Sequence, residues 1–173
     1  DDRTVRLWDV HRARPLRVLL THEGRVHAAA LAPAGDRALV VGEELVRVLD
    51  IAEGAVCATF GGADEPDCEG CVARWLPDGR RALVGAWWGD AWRVALWNTA
   101  TGEALRWLDL KREITALALA PDGRLCAVAS SDGAVRLWDV ELGATLDVID
   151  LDTSLDFATA LTFAPDGATL LAG

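Results

Sequence analysis

Two cysteines near the middle of the chain are spaced like metal ligands or a redox-active disulfide. Cys68 and Cys71 flank Glu69 and Gly70, and zinc sites and thiol–disulfide centres both use this spacing. A zinc site normally adds a second such pair or two histidines, and neither follows here. A redox motif accompanies an alternating strand–helix unit, for which the sequence has no pattern. We therefore predict no metal and no cofactor, and the role of the two cysteines stays open.

Nucleophilic catalysis also finds no support among the side chains that could perform it. Ser130 lies inside a repeated motif that explains it structurally, and Ser154 has no histidine near it in sequence. The histidines all fall within the first 27 residues. No phosphate-binding loop of the form GxxxxGK[ST] occurs. The sequence thus predicts a protein that is not an enzyme.

The composition describes one globular domain with excess negative charge. Of the 173 residues, 51% are hydrophobic and 25% charged, which suits a buried core without cross-links. Seventeen basic residues against 27 acidic ones give a net charge of −10. This charge disfavours nucleic acids and anionic membranes as partners, because both are bound through lysine and arginine clusters. Four cysteines without a disulfide-like spacing favour a reducing, cytoplasmic setting.

The elements that must position these residues repeat along the chain. Residues 4–10, Thr-Val-Arg-Leu-Trp-Asp-Val, return almost unchanged as residues 134–140, with weaker copies at 45–51 and 92–98. A segment that recurs along the chain in this way is typical of repeat architectures. A second signal has a period of 44 residues and consists of four prolines, three of which begin a Pro-Asp-Gly turn: Pro33, Pro77, Pro121 and Pro165.

Each repeat has the pattern of four short β-strands. Apolar stretches alternate with turns that contain Gly next to Asp, and no segment keeps a helical period. One four-stranded meander cannot bury both of its faces, so neighbouring repeats must stack on it. In the third repeat we predict strands at 113–120, 124–130, 134–140 and 144–150.

The period, the Pro-Asp-Gly turn and the Trp-Asp ending of the third strand resemble WD40 repeats. The match is most specific at residues 114–140, and the Trp-Asp pairs are Trp8-Asp9 and Trp138-Asp139. The resemblance implies an all-β fold, a β-propeller with blades of four antiparallel strands. It divides the chain into half a blade at 1–20, blades at 21–60, 61–110 and 111–151, and half a blade at 152–173.

WD40 blades often contain a buried hydrogen-bond network of His, Ser or Thr, Asp and Trp. In the third repeat Ser130, Asp132 and Trp138 fill three of these places, and Leu110 stands where the histidine belongs. In the first repeat His22 is present, but its acidic and tryptophan partners are replaced. Incomplete polar networks stabilise less than complete ones. We therefore expect blades held mainly by apolar packing, with Trp75, Trp97, Cys57 and Cys126 as further core residues.

The two half-blades are complementary in phase, since the first carries third and fourth strands and the last carries first and second strands. If the chain closes on itself, they share a blade, and if it does not, they lie at opposite ends of an open arc. The resemblance favours a stretch of a larger propeller, because four such blades rarely close a ring. A small ring, or a half-ring that pairs with a second copy, is the alternative.

An aromatic segment is the strongest candidate for binding. From Pro77 to Trp97 there are 20 residues, against 17 from Pro121 to Trp138, so the sequence predicts an inserted loop between the second and third strands. Tryptophan is enriched where partners bind, although these side chains could instead fold back onto the blade. An acidic loop between blades is expected at the same end, which gives a partner-binding set of Trp87, Trp88, Asp90, Trp92, Asp64, Glu65, Asp67 and Glu69.

We interpret this end of the propeller as an acidic, tryptophan-bearing face for a basic peptide or protein segment, and the chain as a non-catalytic scaffold. Two alternatives come from other functional classes. One is a sensor or regulatory segment of a larger signalling NTPase or kinase. The other is a propeller hydrolase with a metal at the channel mouth. Acidic residues in the equivalent loops of other blades would add to the charge of this face, namely Glu43, Glu44, Asp132, Asp150, Asp152 and Asp156.

Overall fold

The computed structural model describes residues 2–43, 45–61, 71–151 and 157–173, and this part of the chain is built from strands alone. It therefore contains no helix that is long and apolar enough to cross a membrane. The strands are β1 (Thr4–Asp9), β2 (Arg14–Thr21), β3 (Val26–Leu31), β4 (Arg37–Gly42), β5 (Leu45–Asp50), β6 (Val56–Gly61), β7 (Val72–Trp75), β8 (Arg81–Trp88), β9 (Ala91–Asn98), β10 (Glu103–Leu110), β11 (Ile114–Leu119), β12 (Leu125–Ser130), β13 (Ala134–Asp139), β14 (Ala144–Asp150), β15 (Leu161–Phe163) and β16 (Leu170–Ala172).

The strands form antiparallel sheets in which each strand pairs with its neighbours in sequence. There are three four-stranded sheets, β3–β6, β7–β10 and β11–β14, which we call the first, second and third blade. The pairs β1–β2 and β15–β16 form separate two-stranded sheets. The all-β propeller architecture expected from the repeat is confirmed, and the sheets of the described residues form a partial propeller because they do not close into a ring.

The innermost strands β3, β7, β11 and β15 lie side by side, and β1 lies next to β3 at the other end. The two-stranded sheets therefore occupy opposite ends of an open arc. Side chains reach between neighbouring blades along the inner strands. The indole of Trp75 donates a hydrogen bond to the carbonyl of Ala30 at 3.0 Å, and the Arg37 guanidinium lies 5.3 Å from the centre of the Trp75 ring.

The turn between the first and second strands shows why the Pro-Asp-Gly signal recurs. In the third blade the Asp122 carboxylate accepts the backbone N–H of Arg124 at 2.9 Å, and Gly123 has a φ of +75°. A Cβ at Gly123 would lie 2.5 Å from Cδ of Pro77, so the turns of neighbouring blades are stacked in close contact. The glycine thus serves both the left-handed backbone and the approach of the next blade.

The cores lie between blades rather than within them, because each sheet has two apolar faces. Trp138 packs against the second blade and is fully buried, and Trp97 packs against the first blade. Small residues such as Ala82 and Ala95 leave room for the indoles on the face of the second blade that meets the first. Trp75 and Cys126 are also buried, as predicted.

One prediction about a buried side chain is wrong, and one repeat position differs in burial between sheets. Cys57 lies on β6, the outermost strand of the first blade, and is exposed, whereas it was expected in the core. Trp8 is 52% exposed although it occupies the same repeat position as Trp138. The reason is its place at the end of the arc, where no preceding blade covers the outward face of β1.

Candidate interaction surface

The tryptophan segment forms a long, tightly turned hairpin, so the prediction of an inserted loop is wrong. Trp87 and Trp88 end β8, Trp92 lies near the start of β9, and only Gly89 and Asp90 connect the two strands. The additional residues lengthen both strands to eight residues each. Gly89 has a φ of +64°, which suits a two-residue hairpin turn.

Trp87 and Trp92 face each other across this hairpin. They are register partners, and their rings meet edge to face with centres 5.7 Å apart. Both side chains are half-buried, and part of each ring stays accessible. Trp92 packs against the cores on both sides of the second blade. Half-buried indoles at the end of a hairpin offer a preformed apolar contact.

Trp88 belongs to the core instead, which contradicts its prediction as a surface contact. It is 7% exposed and packs edge to face on Trp107, with ring centres 5.5 Å apart. Trp97 stacks on Phe60 in the same cluster at 4.9 Å. Burial of an indole between blades is the alternative that the sequence left open, and alternation along β8 explains it, since Trp88 and Trp87 point to opposite faces of the sheet.

Asp90 projects from the turn, with 88% of its side chain exposed. Arg93 donates to the Asp90 carboxylate at 3.0 Å, to the Asp109 carboxylate at 2.7 Å and to the carbonyl of Trp88 at 2.8 Å. One guanidinium thus holds two carboxylates beside Trp92. The hydrogen bond that Arg93 donates to Asp109, together with the negative charges of Asp109 and Asp90, raises the pKa of Arg93 above its ordinary value.

The acidic loop that was expected beside the hairpin lies outside the described residues. This applies to Asp64, Glu65, Asp67 and Glu69, to Cys68, and to three acidic residues of the equivalent loops, Glu44, Asp152 and Asp156. Their place in the binding surface remains a prediction.

In the third blade, an arginine joins the Ser130 and Asp132 part of the network that lacks its histidine. Ser130 donates to the Asp132 carboxylate at 2.6 Å, and Arg136 donates to Ser130 at 2.8 Å and to Asp132 at 2.6 Å. The indole N–H of Trp138 takes no part and has no hydrogen-bond partner. The hydrogen bonds to Arg136, and then Ser130, lower the pKa of Asp132 to about 2.

His22 has a comparable position in the first blade. It is buried, its Nδ1 lies 3.0 Å from the backbone nitrogen of Gly24, and its Nε2 contacts the guanidinium of Arg47. A Cβ at Gly42 would lie 2.2 Å from Nε2, so the ring occupies the space above a glycine. The histidine therefore fills a packed, hydrogen-bonded structural position.

The aspartates that end the third strands act locally. Asp9 accepts the backbone N–H groups of His11 and Arg12, and Asp139 accepts those of Glu141 and Leu142. Each carboxylate thereby organises the turn into the fourth strand, as side chains of this type commonly do. Both residues serve the fold rather than a partner.

Arginines on the third strands pair with the acidic residues of the preceding turns, which the sequence interpretation missed. Arg136 contacts Asp132, Arg93 contacts Asp90, and Arg6 contacts Asp2 at 2.5 Å. The spacing of three or four residues across the turn could have indicated these pairs. They reduce the free negative charge of this end of the propeller, although the net charge of the chain is unchanged.

The opposite end has a network that joins two blades. Arg81 donates to Asp78 of its own turn and to Glu141 of the third blade, both at 2.7 Å. Arg124 contacts Asp139 at 3.2 Å beside it. The described residues contain no group of three or more His, Cys, Asp or Glu side chains that could hold a metal ion. Cys71 is half-buried against the core of the first and second blades.

Two comparisons agree with this architecture. Residues 96–166 match the family model described as the anaphase-promoting complex subunit 4 WD40 domain. The chain is also 32% identical over 105 residues to protein groucho of Drosophila melanogaster, an alignment that covers 57% of this chain. The aligned part is 13% of that relative, so the chain spans a small portion of it. Together with the 44-residue repeat and the four-stranded blades, these matches show that the chain is similar to WD40-repeat proteins.

Proposed function

We propose that this chain is a non-catalytic interaction scaffold that binds a basic peptide or protein segment at the end of the β8–β9 hairpin. WD40 repeats generally bind proteins or peptides, and the observation that carries the site is the Trp87–Trp92 pair. We define the hairpin surface as Trp87, Asp90, Trp92, Arg93 and Asp109. It combines a half-buried aromatic pair with two carboxylates that are held by one arginine.

The chemistry of the hairpin surface suits an arginine or lysine flanked by an apolar residue. The carboxylates of Asp90 and Asp109 keep exposed oxygens, because Arg93 occupies only one oxygen of each. A cationic side chain can therefore reach either carboxylate while its stem lies on an indole. The net charge of −10 would attract such a segment from a distance.

Binding to an array of short peptides graded in net charge tests this proposal. We expect the cationic members to bind, with association that slows as salt increases, since exposed charges are screened within about 8 Å at physiological ionic strength. The double variant Asp90→Asn, Asp109→Asn should slow association, and Trp92→Ala should speed dissociation by about tenfold or more. Trp107→Ala is the matched control, because Trp107 is partly exposed on β10 outside the hairpin surface.

Equal effects of Trp92→Ala and Trp107→Ala would contradict the proposed site. Binding of anionic peptides as strong as that of cationic ones would contradict the proposed partner class. Thermal melts of each variant distinguish the loss of a binding contact from the loss of the fold. A variant that binds more weakly and also melts at a lower temperature has lost packing, whereas one that binds more weakly at an unchanged melting temperature has lost a contact.

A further inference from the structure

The carboxylates held by Arg93 and the tryptophan pair leave the second blade on opposite faces. Arg93 of β9 is the register partner of Asp109 on β10, so both side chains point to the same face of the sheet. Trp97 shares this phase and packs in the core with the first blade. Trp92, the residue before Arg93, points to the other face, where Leu96 packs in the core with the third blade. The carboxylates therefore lie towards the first blade, and the Trp92 side chain leaves the sheet towards the third.

The connection between the second and third blades runs past the tryptophan pair. It begins after Leu110, the last residue of β10 and the register partner of Trp92. It ends at Ile114, the first residue of β11, whose Cδ1 lies 2.9 Å from the position of a Cβ at Gly85. Gly85 lies two residues before Trp87 on β8 and therefore on the same face of the sheet. Leu110 and Ile114 are both buried, so the connection is fixed beside the tryptophan pair.

Two cations occupy this connection, and we call Lys111 and Arg112 the basic loop. Both side chains are exposed, and neither forms an ion pair with a carboxylate of the described residues. Arg93, by contrast, is held between two carboxylates. The backbone carbonyl of Glu113 accepts the N–H of Ser131 at 2.8 Å, which fixes the connection to the third blade. The basic loop thus presents two cations at a defined place, on the third-blade side of the tryptophan pair.

An extended segment that crosses the end of the hairpin meets three kinds of surface in order. From the first blade towards the third, these are the carboxylates of Asp90 and Asp109, the indoles of Trp87 and Trp92, and the basic loop. Complementary charges across an interface favour one partner and one register, and like charges that meet disfavour the others. A uniformly basic segment would place a cation against the basic loop.

We propose that the partner segment carries charges of opposite sign on either side of an apolar residue, an inference that rests on the function proposed above. Its basic residue binds Asp90 and Asp109, its apolar residue lies on the tryptophan pair, and its acidic residue binds the basic loop. The basic loop therefore determines specificity, because it distinguishes this segment from one that is basic throughout.

A series of synthetic peptides tests the order of charges. Each peptide has a Lys-Lys pair, then a leucine, and beyond the leucine a test position that is Glu, Ala or Lys. The series is made in both sequence directions and with the test position next to the leucine or a few residues farther on. In the direction and spacing that bind most tightly, we expect the Glu peptide to bind about fivefold more tightly than the Lys peptide, with the Ala peptide between them.

Reversing the charge of the basic loop should invert this preference. The variant Lys111→Glu, Arg112→Glu should bind the Lys peptide more tightly than the Glu peptide, and Lys111→Ala, Arg112→Ala should bind the two about equally. The matched control is Arg14→Glu, Arg80→Glu, which makes the same change in net charge with exposed residues at the opposite end of the propeller. This control should keep the preference for the Glu peptide.

The inference and the proposed function can fail separately. If Asp90→Asn, Asp109→Asn weakens all three peptides while the native chain binds the Glu and Lys peptides equally, the carboxylate site stands and the role of the basic loop is overturned. A preference for the Glu peptide that survives reversal of the basic loop would also overturn the inference. If none of the peptides binds, both the site and the inference are wrong.

Discussion

At the scale of single residues, the third blade shows how an arginine takes over part of a polar network. Arg136 fills the donor role on Ser130 and Asp132, and the indole N–H of Trp138 is left unpaired. Trp138 therefore stabilises the blade through burial and not through hydrogen bonding. Asp132 stabilises its own turn, since it also accepts the backbone N–H of Ala134.

The variants Trp138→Ala and Asp132→Ala should therefore differ in cost. Removing a fully buried indole should lower the free energy of unfolding by about 3–5 kcal/mol, through lost burial and the cavity that remains. Removing the carboxylate should lower it by about 1–2 kcal/mol, because the partly accessible donors that it leaves can bind water. Denaturant melts of both variants measure the difference. Equal losses would contradict the assignment of Trp138 to apolar packing.

The low pKa of Asp132 predicts how stability depends on pH. Its pKa is about 2 in the folded chain, against about 3.9 for an ordinary aspartate. The carboxylate network therefore stabilises the fold above about pH 4, and this contribution disappears as the pH falls through about 2. In denaturant melts at several pH values, Asp132→Asn should be less stable than the native chain at pH 6, and the difference should shrink between about pH 4 and 2. A constant difference would show that the charge is not responsible.

At the scale of elements, the turns between the first and second strands of neighbouring blades contact each other. Gly123 and Gly133 both have positive φ, of +75° and +80°, so alanine strains the backbone at each of them. A Cβ at Gly123 would also meet Pro77 of the neighbouring blade at 2.5 Å, whereas a Cβ at Gly133 would meet nothing within 4 Å. The pair thus separates backbone strain from inter-blade packing.

Gly133→Ala should lower the free energy of unfolding by about 1 kcal/mol, because alanine is strained in the left-handed backbone conformation. Gly123→Ala should lower the free energy of unfolding by about 1–3 kcal/mol more than Gly133→Ala does, because the turns of the second and third blades must move apart. Thermal or denaturant unfolding measures both variants under the same conditions. If the two substitutions cost the same, the stacked turns do not contribute to the joint between blades.

The strands could be predicted from the sequence because turn residues and apolar alternation agree in each repeat. The predicted strands of the third repeat agree with β11–β14 at four of the eight strand ends and differ by one residue at the other four. The longer Pro77–Trp97 interval was attributed to a loop, since sequence length alone does not distinguish added loop from added strand. The alternation of side chains between the two faces of β8 does distinguish an added strand from an added loop, and it places Trp87 and Trp88 on opposite faces. The arginine pairs of the turns could not be inferred from composition, which counts charges without their partners.

At the scale of the whole molecule, stability is a sum over neighbouring blades. Among the described residues, the main contacts of each blade are with the sheets on either side, as in other repeat proteins. The second blade has neighbours on both faces, and its buried strands β8 and β9 lie in two core clusters. The sheet β15–β16 covers the third blade with two short strands only. Protection against local opening should therefore fall from the centre of the arc towards its ends.

Hydrogen exchange monitored by mass spectrometry tests this gradient. In dilute solution the amides of β8, β9 and β12 should exchange slowly, because these strands are buried and paired on both sides. Those of β1 and β16 should exchange fastest, since each has one unpaired edge. Uniform exchange along the chain would contradict a stability that is built up from contacts between neighbouring blades.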